Sequence, residues 1–557
     1  MNKRIALLLL AAALSAPFAE AQKTKKKSKL KTKTVQVQSE NPETAVAVAP
    51  ALSAETYAAT ITAADLSTHL HILASDEFEG RETGRRGQKM AAEYISNFFR
   101  ENDIPGPVNN DANPHYQVFD LEQSIWNKPV LKVGKNSYTF LKDFYLYGDA
   151  PADKRQKLDL VFAGYGIEAP TYSDYQNLNV KGKTVVVLTG EPTDEQGNFL
   201  VSRSKTASPW ADSRTKARAA LQKGARNVIF IATGTEEQFL QQLEKMKHRL
   251  ESPDLSLPER QRRTPSVFVS PGLGAALLGS NAKNLQNFQN QVRKAGKPVA
   301  AKFKPAREVE LSAEKTLTAV TTENVLGYIE GSDKKEEVIV ITAHYDHVGM
   351  DPEKEGDQIY NGADDDGSGT VAIMELAQAF AEAKKAGAGP RRSILFMAVT
   401  GEEKGLLGSE YYTNHPVFPL ANTVANLNID MIGRLDNDHE GNPNYVYLIG
   451  SDKLSSELHK ISEETNQRYN QLELDYTYND EKDPNRFYYR SDHYNFAKNN
   501  IPVIFYFNGV HEDYHQPGDE VEKILFDKVE NITRLVFYTA WELANREERI
   551  KVDSNKK

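Results

Sequence analysis

The second half of the chain alternates long apolar runs with helical patterns. Four runs predict buried strands: EVIVITAH from Glu337, RRSILFMAVTGEE from Arg391, VANLNIDMIG, and IPVIFYFNG from Ile501. DGSGTVAIMELAQAFAEAKKAG predicts a helix between the first two. Apolar strands separated by helices indicate an α/β fold, with a mostly parallel, twisted sheet sandwiched by helices.

The first half has a different pattern. Residues 66–102 predict two helical pieces around a glycine-rich turn, and strand-like runs then begin at Leu158, Lys183, Asn227 and Ser266. A helical segment, TKARAALQKGA, lies between the second and third runs and ends at Gly224. This middle region has no cluster of His with Asp or Glu. We predict a separate β-rich domain with some helix at 130–308, between residues 58–129 and 309–548, and a polar tail at 549–557.

Size and charge narrow the class of protein. At 557 residues and 62.3 kDa the chain is too long for one simple core, so two domains are expected. With 39% hydrophobic and 26% charged residues, the composition is that of a soluble globular protein. The net charge of −9 argues against a nucleic-acid partner, because phosphates require a basic face.

The first 21 residues read as a secretory signal peptide. Lys3 and Arg4 precede an apolar stretch too short to span a membrane, and Ala19-Glu20-Ala21 forms an A-x-A cleavage site. An uncleaved anchor is the less favoured alternative. The chain contains no cysteine, which excludes a lipoprotein anchor, disulfides and thiolate ligands. Residues 22–57 are basic, then polar, and predict a linker. We therefore expect export to a bacterial periplasm or beyond, with no transmembrane segment.

Residues of metal-ligand type follow four of the predicted strands. His344-Tyr345-Asp346-His347 ends the first strand, and Glu402 and Glu403 end the second. Asp430 ends the third strand, and His515 follows the fourth, while Asp364, Asp365 and Asp366 precede the first helix. Ligand crevices form at the carboxyl ends of strands in such sheets. Oxygen and imidazole donors converging there suit zinc or a related divalent ion.

The adjacent glutamates suggest a division of roles. Two metals roughly 3.5–4 Å apart can clamp a tetrahedral intermediate around a bridging hydroxide. One carboxylate must then bind metal, while a neighbour takes the proton from the attacking water. The side chains of Glu402 and Glu403 leave the backbone in different directions and can take one role each.

Several strings resemble a known family. GADDDGSG, TGEEKGLLGS, NLNIDMIGR and the YH of HEDYHQ are similar to the co-catalytic zinc exopeptidases, which include bacterial leucyl aminopeptidases, aminopeptidase Y and glutamate carboxypeptidase. The resemblance covers residues 61 to about 128, including LASDEFEGRETG, and residues 310 to 545. The middle region, with VFAGYGI and ARAALQKGARNVIFI, is similar to the protease-associated domain inserted in many members.

The resemblance implies a role for each matched position. It implies two zinc ions per chain, with these residues in the site: His344 and Asp430 on one zinc, Glu403 and His515 on the other, Asp365 bridging both, Glu402 as general base, and Tyr514 as donor to the oxyanion. Asp346 would hold the imidazole of His344, and the bond from Asp365 to Asp366 would be cis. For Asp364 and Asp366 we expect only that they cap the helix or support the ligands, and the resemblance assigns them no specific role.

Some residues allow more than one interpretation. His347 could in principle replace His344, but the H-Y-D order favours His344. The RSDH stretch at 490–493 is predicted to support the pocket. Arg434 and Arg490 could hold a substrate carboxylate, although ion pairs are the commoner fate of an arginine.

Four functions remain in competition. The first is an exported zinc aminopeptidase that acts on peptide substrates, in which Glu402 deprotonates water held between the metals. The second is a carboxypeptidase of the same fold, and the third is a glutaminyl cyclase, an enzyme class that resembles this family but uses a single zinc. The fourth is a binding domain without activity, which is disfavoured because every expected position is filled. The oligomeric state is not predicted.

Overall fold

Strand Lys334–His344 lies at the centre of a nine-stranded sheet in the computed structural model, which describes residues 53–554. Four neighbouring strands run parallel, and the sheet continues on both sides through antiparallel pairs. The α/β class is confirmed for a mixed sheet, in which the four central strands and the edge pair Tyr445–Ile449 with Glu473–Asp475 are parallel. Across the sheet the strands are Asp254–Ser256, Tyr116–Trp126, Lys315–Ile329, Arg392–Val399, Lys334–His344, Thr423–Ile429, Val503–Phe507, Tyr445–Ile449 and Glu473–Asp475.

Alternate side chains of the central strand enter two separate cores, as pleating requires. Ile339 and Ile341 pack among the helices on one face, whereas Val338 and Val340 pack on the other. The sheet is therefore covered on both faces, as predicted. The helices of this part are Ala54–Ala58, Ala63–Leu73, Arg86–Glu101, Gly369–Lys385, Leu407–Asn414, Ser456–Thr465, His493–Ala497 and Phe526–Asn545.

The middle region builds two smaller sheets with cores of their own. The five-stranded sheet contains the four predicted runs, as Ser266–Val269, Asn227–Ile231, Thr184–Leu188 and Leu160–Phe162, and adds Phe144–Tyr147 at one edge. The four-stranded antiparallel sheet contains Asn136–Thr139, Val130–Val133, Val309–Ser312 and Arg155–Lys157. The helices of the middle region are Ser213–Gln222, Glu236–Glu251, Pro271–Leu277 and Ala282–Ala295. Two short antiparallel pairs complete the strands: Glu168–Ala169 with Tyr172–Ser173, and Gly349–Met350 with Ile359–Tyr360.

Long-range pairing joins the two parts of the chain that flank the middle region, and one short strand of the middle region extends the same sheet. The 11-residue strand Tyr116–Trp126 pairs antiparallel with Lys315–Ile329. Strand Asp254–Ser256, from within the region predicted as an insertion, extends the sheet beyond Tyr116–Trp126. The exact domain boundaries stay a prediction.

The ends of the chain limit what can be compared with the sequence. The predicted signal peptide and nearly all of the predicted linker lie outside the described residues. Helix Ala54–Ala58 starts within the last residues assigned to the linker, and Tyr57 is buried in the main core. In residues 53–554 no helix combines the length and apolar character needed to cross a membrane.

Candidate metal centre and active site

The predicted ligands lie at one edge of the sheet because the parallel strands end there. His344 is the last residue of its strand, and Asp430 directly follows strand Thr423–Ile429. Glu402 and Glu403 come shortly after strand Arg392–Val399, and His515 lies in the loop after Val503–Phe507. The fold therefore brings together side chains that are far apart in the sequence.

Asp365 faces two groups of side chains with its two carboxylate oxygens. Its Oδ1 lies 3.2 Å from His344 Nε2, which is also 3.7 Å from Asp430 Oδ1. Its Oδ2 lies 3.0 Å from His515 Nε2, which is 3.1 Å from Glu403 Oε2. The bond from Asp365 to Asp366 is cis, as the resemblance implied. All five predicted ligands converge around Asp365, and their individual roles stay predictions.

Several buried polar atoms at this point have no hydrogen-bond partner among the described residues. They are His515 Nε2, Glu403 Oε1 and both ring nitrogens of His347. Leaving buried polar atoms unpaired is costly, so such groups call for an explanation. Imidazole nitrogens and carboxylate oxygens about 3 Å apart without hydrogen-bond geometry suit divalent metal ions such as zinc. The side chains thus fit the two metal ions that the sequence predicts.

Asp366 and Asp364 position the backbone around the centre. The Asp366 carboxylate accepts hydrogen bonds from the main-chain N–H groups of His344, Gly369 and Met431. Asp364 accepts one from Gly433 at 2.6 Å and lies 3.3 Å from the ring of His511. Asp366 also lies close enough to His344 and Asp430 to complete a metal-binding group. Because three N–H groups already occupy its oxygens, we retain Asp365 as the predicted ligand.

The predicted role of Asp346 is wrong in one respect. His344 Nδ1 lies 3.0 Å from the main-chain oxygen of Asp346, and the carboxylate makes no contact with the ring within 4 Å. The carboxylate instead accepts hydrogen bonds from Thr83 Oγ1 at 2.6 Å and from the Glu402 main-chain N–H at 3.2 Å. The turn after the strand places the main-chain carbonyl of Asp346 beside the ring of His344. The Asp346 carboxylate is therefore free to hold the main-chain N–H of Glu402.

Sequence reasoning missed a buried arginine that ties the loops of the site together. Arg81 is 1% exposed and donates to four main-chain carbonyls at 2.7–2.9 Å. These carbonyls belong to Leu73, Tyr345, Asn361 and Gly362. Arg81 thus joins the segment after the first strand to the segment before Asp365. The only sequence signal was its place in LASDEFEGRETG.

The environment drives the pKa values of the two adjacent glutamates apart. Burial raises the pKa of Glu402 well above its ordinary value; the charge of His344 opposes this shift, and the carboxylates of Glu403 and Asp430 add to it. Burial also acts to raise the pKa of Glu403, but His347 and His515 outweigh it and lower the value to about 2. Titratable pairs separated in this way mark different chemical roles. Glu402 suits proton uptake, and Glu403 suits a permanently charged ligand.

An open cleft of about 360 Å³ leads to these residues. Polar groups line one part of it, including Tyr514 and Arg490, whose Nη2 lies 3.3 Å from the tyrosine hydroxyl. Ser491 donates to Asp430 at 2.7 Å, which agrees with the supporting role predicted for RSDH. Arg434 pairs with Asp513 at 3.0 Å and is therefore engaged elsewhere. The apolar part of the cleft is lined by Met431, Phe487, Phe505, Phe507 and Val510.

Fold and site together define a class: an α/β protein with two groups of His, Asp and Glu at the carboxyl ends of parallel strands. Residues 324–540 match the model of peptidase family M28, so this part of the chain is similar to that family. Arg81 and Thr83 lie outside the matched segment.

Curated relatives agree with the family. Aminopeptidase YwaD of Bacillus subtilis strain 168 is 27% identical over 253 residues, which cover 42% of this chain and 48% of that protein. A probable zinc metalloprotease of Pyrenophora tritici-repentis is 38% identical over 120 residues, or 21% of this chain and 23% of that protein. The chain thus spans about half, or less, of the length of these relatives.

A solved structure extends the likeness of fold over nearly the whole chain. The aminopeptidase from Aneurinibacillus sp. strain AM-1 aligns with a TM-score of 0.52 and 19% identity. The alignment covers 90% of this chain and 98% of that one. It therefore includes most of the middle region.

Proposed function

We propose that the protein is a zinc-dependent exopeptidase, and more specifically an aminopeptidase that removes the N-terminal residue of peptides. One observation carries the proposal: Asp365 is shared between two groups of metal-ligand side chains, and Glu402 stands beside them. Glu402 Oε2 lies 3.9 Å from His344 Nε2. Its side chain is 11% exposed, so it is sheltered but can still reach a substrate in the cleft.

Peptide hydrolysis needs a proton acceptor for the attacking water, a hydrogen-bond donor for the substrate oxygen that gains charge, and a cleft that holds the peptide. Zinc ions polarise a carbonyl oxygen and lower the pKa of water. Glu402 takes the proton from the attacking water and gives it to the leaving amine as the peptide C–N bond breaks. The Asp346 carboxylate holds the main-chain N–H of Glu402 and fixes the start of that side chain.

Tyr514 is suited to stabilise the oxygen that gains charge. Its hydroxyl lines the same cleft as Glu402 and Asp365. Burial raises the pKa of Tyr514, and the charges of Asp365 and Glu403 raise it further, so the hydroxyl keeps its proton. A protonated donor placed where negative charge develops stabilises the transition state.

A carboxypeptidase is the second candidate, and Arg490 is the observation that favours it. Among residues 53–554 the guanidinium of Arg490 has no carboxylate partner within 4 Å, although it lines the cleft. It stacks on Phe487 at 4.8 Å and contacts Tyr514. An arginine in this position could bind the terminal carboxylate of a substrate. We favour the aminopeptidase because the relatives with a stated exopeptidase activity are aminopeptidases.

A glutaminyl cyclase stays the weaker alternative. It would need one metal, whereas two groups of His, Asp and Glu are placed to hold ions here.

Mass spectrometry of a defined peptide mixture separates these functions. The mixture contains one peptide sequence in free, N-acetylated and C-amidated forms, and a peptide with N-terminal glutamine. An aminopeptidase shortens the free and amidated forms from the N-terminus and leaves the acetylated form intact, and chelator stops it. C-terminal trimming of the free and acetylated forms would show a carboxypeptidase, and loss of ammonia from the glutamine peptide a cyclase. No change in any peptide with zinc present would contradict hydrolysis.

We also propose that the protein acts outside the cytoplasm. The support is the predicted signal peptide at residues 1–21. N-terminal sequencing of protein recovered from the periplasm or medium tests this proposal, with cleavage after Ala21 as the expected result.

A further inference from the structure

His347 is a buried histidine to which no role has yet been given. It lies three residues after His344 and is fully buried, at 0% exposure. Neither of its ring nitrogens has a hydrogen-bond partner among the described residues. An imidazole buried in this way loses its bonds to water and gains none in return. A buried imidazole without hydrogen bonds calls for an explanation, and the groups around the ring supply one.

The ring faces the same two carboxylates as His515. Its Nδ1 lies 2.9 Å from Glu403 Oε1 and 3.8 Å from Asp365 Oδ2. His515 Nε2 lies 3.1 Å from Glu403 Oε2 and 3.0 Å from Asp365 Oδ2. The two imidazole centres are 5.7 Å apart, and their planes differ by 70°. The two rings thus approach one pair of carboxylates from different directions.

Close packing fixes the orientation of this ring. A Cβ atom added at Gly362 would lie within 2.6 Å of it, so only glycine leaves the space that the ring occupies. Gly362 also has a φ of +57°, which glycine adopts without strain. The main-chain N–H of His347 donates to Arg81 O at 3.2 Å. The imidazole is therefore held where it lies, next to Glu403.

The contact between His347 and Glu403 is short but is not a hydrogen bond. The two atoms lie 2.9 Å apart, yet both lack a partner with hydrogen-bond geometry. The predicted ligand His515 has the same combination of short distances and missing hydrogen-bond geometry. Two ligands of one ion show this pattern because their lone pairs point to the ion and not to each other.

We propose that His347 binds, through Nδ1, the metal ion held by Asp365, Glu403 and His515. The inference rests on the two metal positions of the proposed function, but not on peptide hydrolysis. This ion then has four protein ligands, and the other has three, namely His344, Asp365 and Asp430. Zinc sites that take part in catalysis keep a position free of protein ligands. The ion near His344 and Glu402 retains such a position.

Metal binding by the mature chain tests the proposal directly. Metal-free wild type, His347→Gln and His115→Gln are titrated with zinc and, separately, with cobalt. His115 is a suitable control because it is also buried, at 4% exposure, but bonds to Ile104 O in another part of the core. Wild type and His115→Gln are expected to bind two ions with the same affinities. His347→Gln is expected to bind one ion normally and the other more than ~100-fold more weakly, a larger loss than removal of a supporting group causes.

The cobalt spectrum separates a ligand from a supporting residue. Loss of a ligand changes the visible absorption of the second cobalt ion, whereas loss of a supporting group leaves the ligand set unchanged. A weakening within ~10–100-fold with an unchanged spectrum would assign His347 to the support of Glu403 and overturn the proposal. Unchanged affinity would also overturn it.

A measurement on the wild type covers the case in which His347→Gln does not fold. X-ray absorption at the zinc edge counts the imidazoles bound to the two zinc ions. The proposal requires three, from His344, His347 and His515, and a count of two contradicts it.

Discussion

Two regions of this molecule bury charged side chains, with opposite outcomes. In the middle region Lys216 is 1% exposed, but its ammonium donates to the carbonyls of Leu188 and Gly190. The buried Glu191 likewise accepts from the main-chain N–H groups of Val201 and Ser208. Each of these charges has partners of its own within the fold.

At the edge of the large sheet the buried groups instead face one another. Ring nitrogens of His347 and His515 lie 2.9 and 3.1 Å from the carboxylate oxygens of Glu403. Both nitrogens and Glu403 Oε1 have no hydrogen bond among the described residues. Burial of a charge alone therefore does not identify a functional site. Several unpaired nitrogen and oxygen atoms that converge on one point indicate such a site better, because one bound ion can satisfy them together.

Replacing Glu402 by Gln is expected to have the largest effect. The amide cannot accept a proton from water, and loss of a general base costs on the order of 10²- to 10⁴-fold in rate. Kinetics on a free peptide measure kcat, and zinc analysis checks that two ions remain bound. The matched control is Glu191→Gln, which removes a buried glutamate from the middle region and should leave kcat within about twofold. Equal losses in both variants would remove the distinction between the regions.

Two glycines allow the packing at the site to be tested separately from backbone strain. Gly362 and Gly134 have nearly the same φ values, +57° and +58°. A Cβ atom added at Gly362 would lie 2.4 Å from Asp365 O and would also clash with the ring of His347. At Gly134 no atom lies within 4 Å of that Cβ. Gly134→Ala should cost about 1 kcal/mol in the free energy of unfolding, because alanine is strained at positive φ. Gly362→Ala should cost more and should also lower the zinc content. Equal unfolding free energies and full zinc content in both variants would contradict the packing described at Gly362.

Thr83 should have a smaller effect, on kcat alone. Its hydroxyl bonds to the Asp346 carboxylate, which also holds the main-chain N–H of Glu402. Thr83→Val removes one hydrogen bond to a charged group, worth about 1.5–3 kcal/mol when intact, and we expect kcat to fall about tenfold or more. Thr83→Ser keeps the hydroxyl and should recover most of the rate. A change in KM with unchanged kcat would contradict a role in positioning Glu402.

The last prediction concerns how the stability of the middle region depends on pH. Burial raises the pKa of Asp174 to about 7, although two main-chain N–H groups oppose the shift. A carboxyl whose pKa is higher in the folded than in the unfolded state stabilises below pH 4, and this contribution is lost as the pH rises through 7. Asp174→Asn should therefore gain stability relative to wild type between pH 4.5 and pH 8, by roughly 3 kcal/mol. Denaturant unfolding at both pH values measures the difference, and a pH-independent difference would contradict the shifted pKa.

Local patterns were enough to predict the centre of the fold and most of the candidate site. His344, Glu402, Glu403 and Asp430 each lie at or shortly after the end of a mainly apolar run, so their position at one sheet edge follows from parallel strands. His515 and the three aspartates 364–366 were candidates by their place in the pattern, but only the resemblance selected Asp365 among the three and gave each residue a role.

Long-range contacts explain what the sequence did not reveal. The pairing of Tyr116–Trp126 with Lys315–Ile329 joins segments almost 200 residues apart, and polar positions interrupt both. Arg81 and Thr83 act on loops more than 260 residues away. His347 was set aside because the spacing favoured His344, and only its burial and missing partners drew attention to it.

The central claim is that six side chains hold two metal ions with Asp365 between them. A crystal of the zinc-loaded protein, with anomalous data collected at the zinc edge, tests it most directly. The account predicts two peaks, one between His344, Asp365 and Asp430 and one between Asp365, Glu403, His347 and His515. A single peak, or none at full zinc loading, would contradict it.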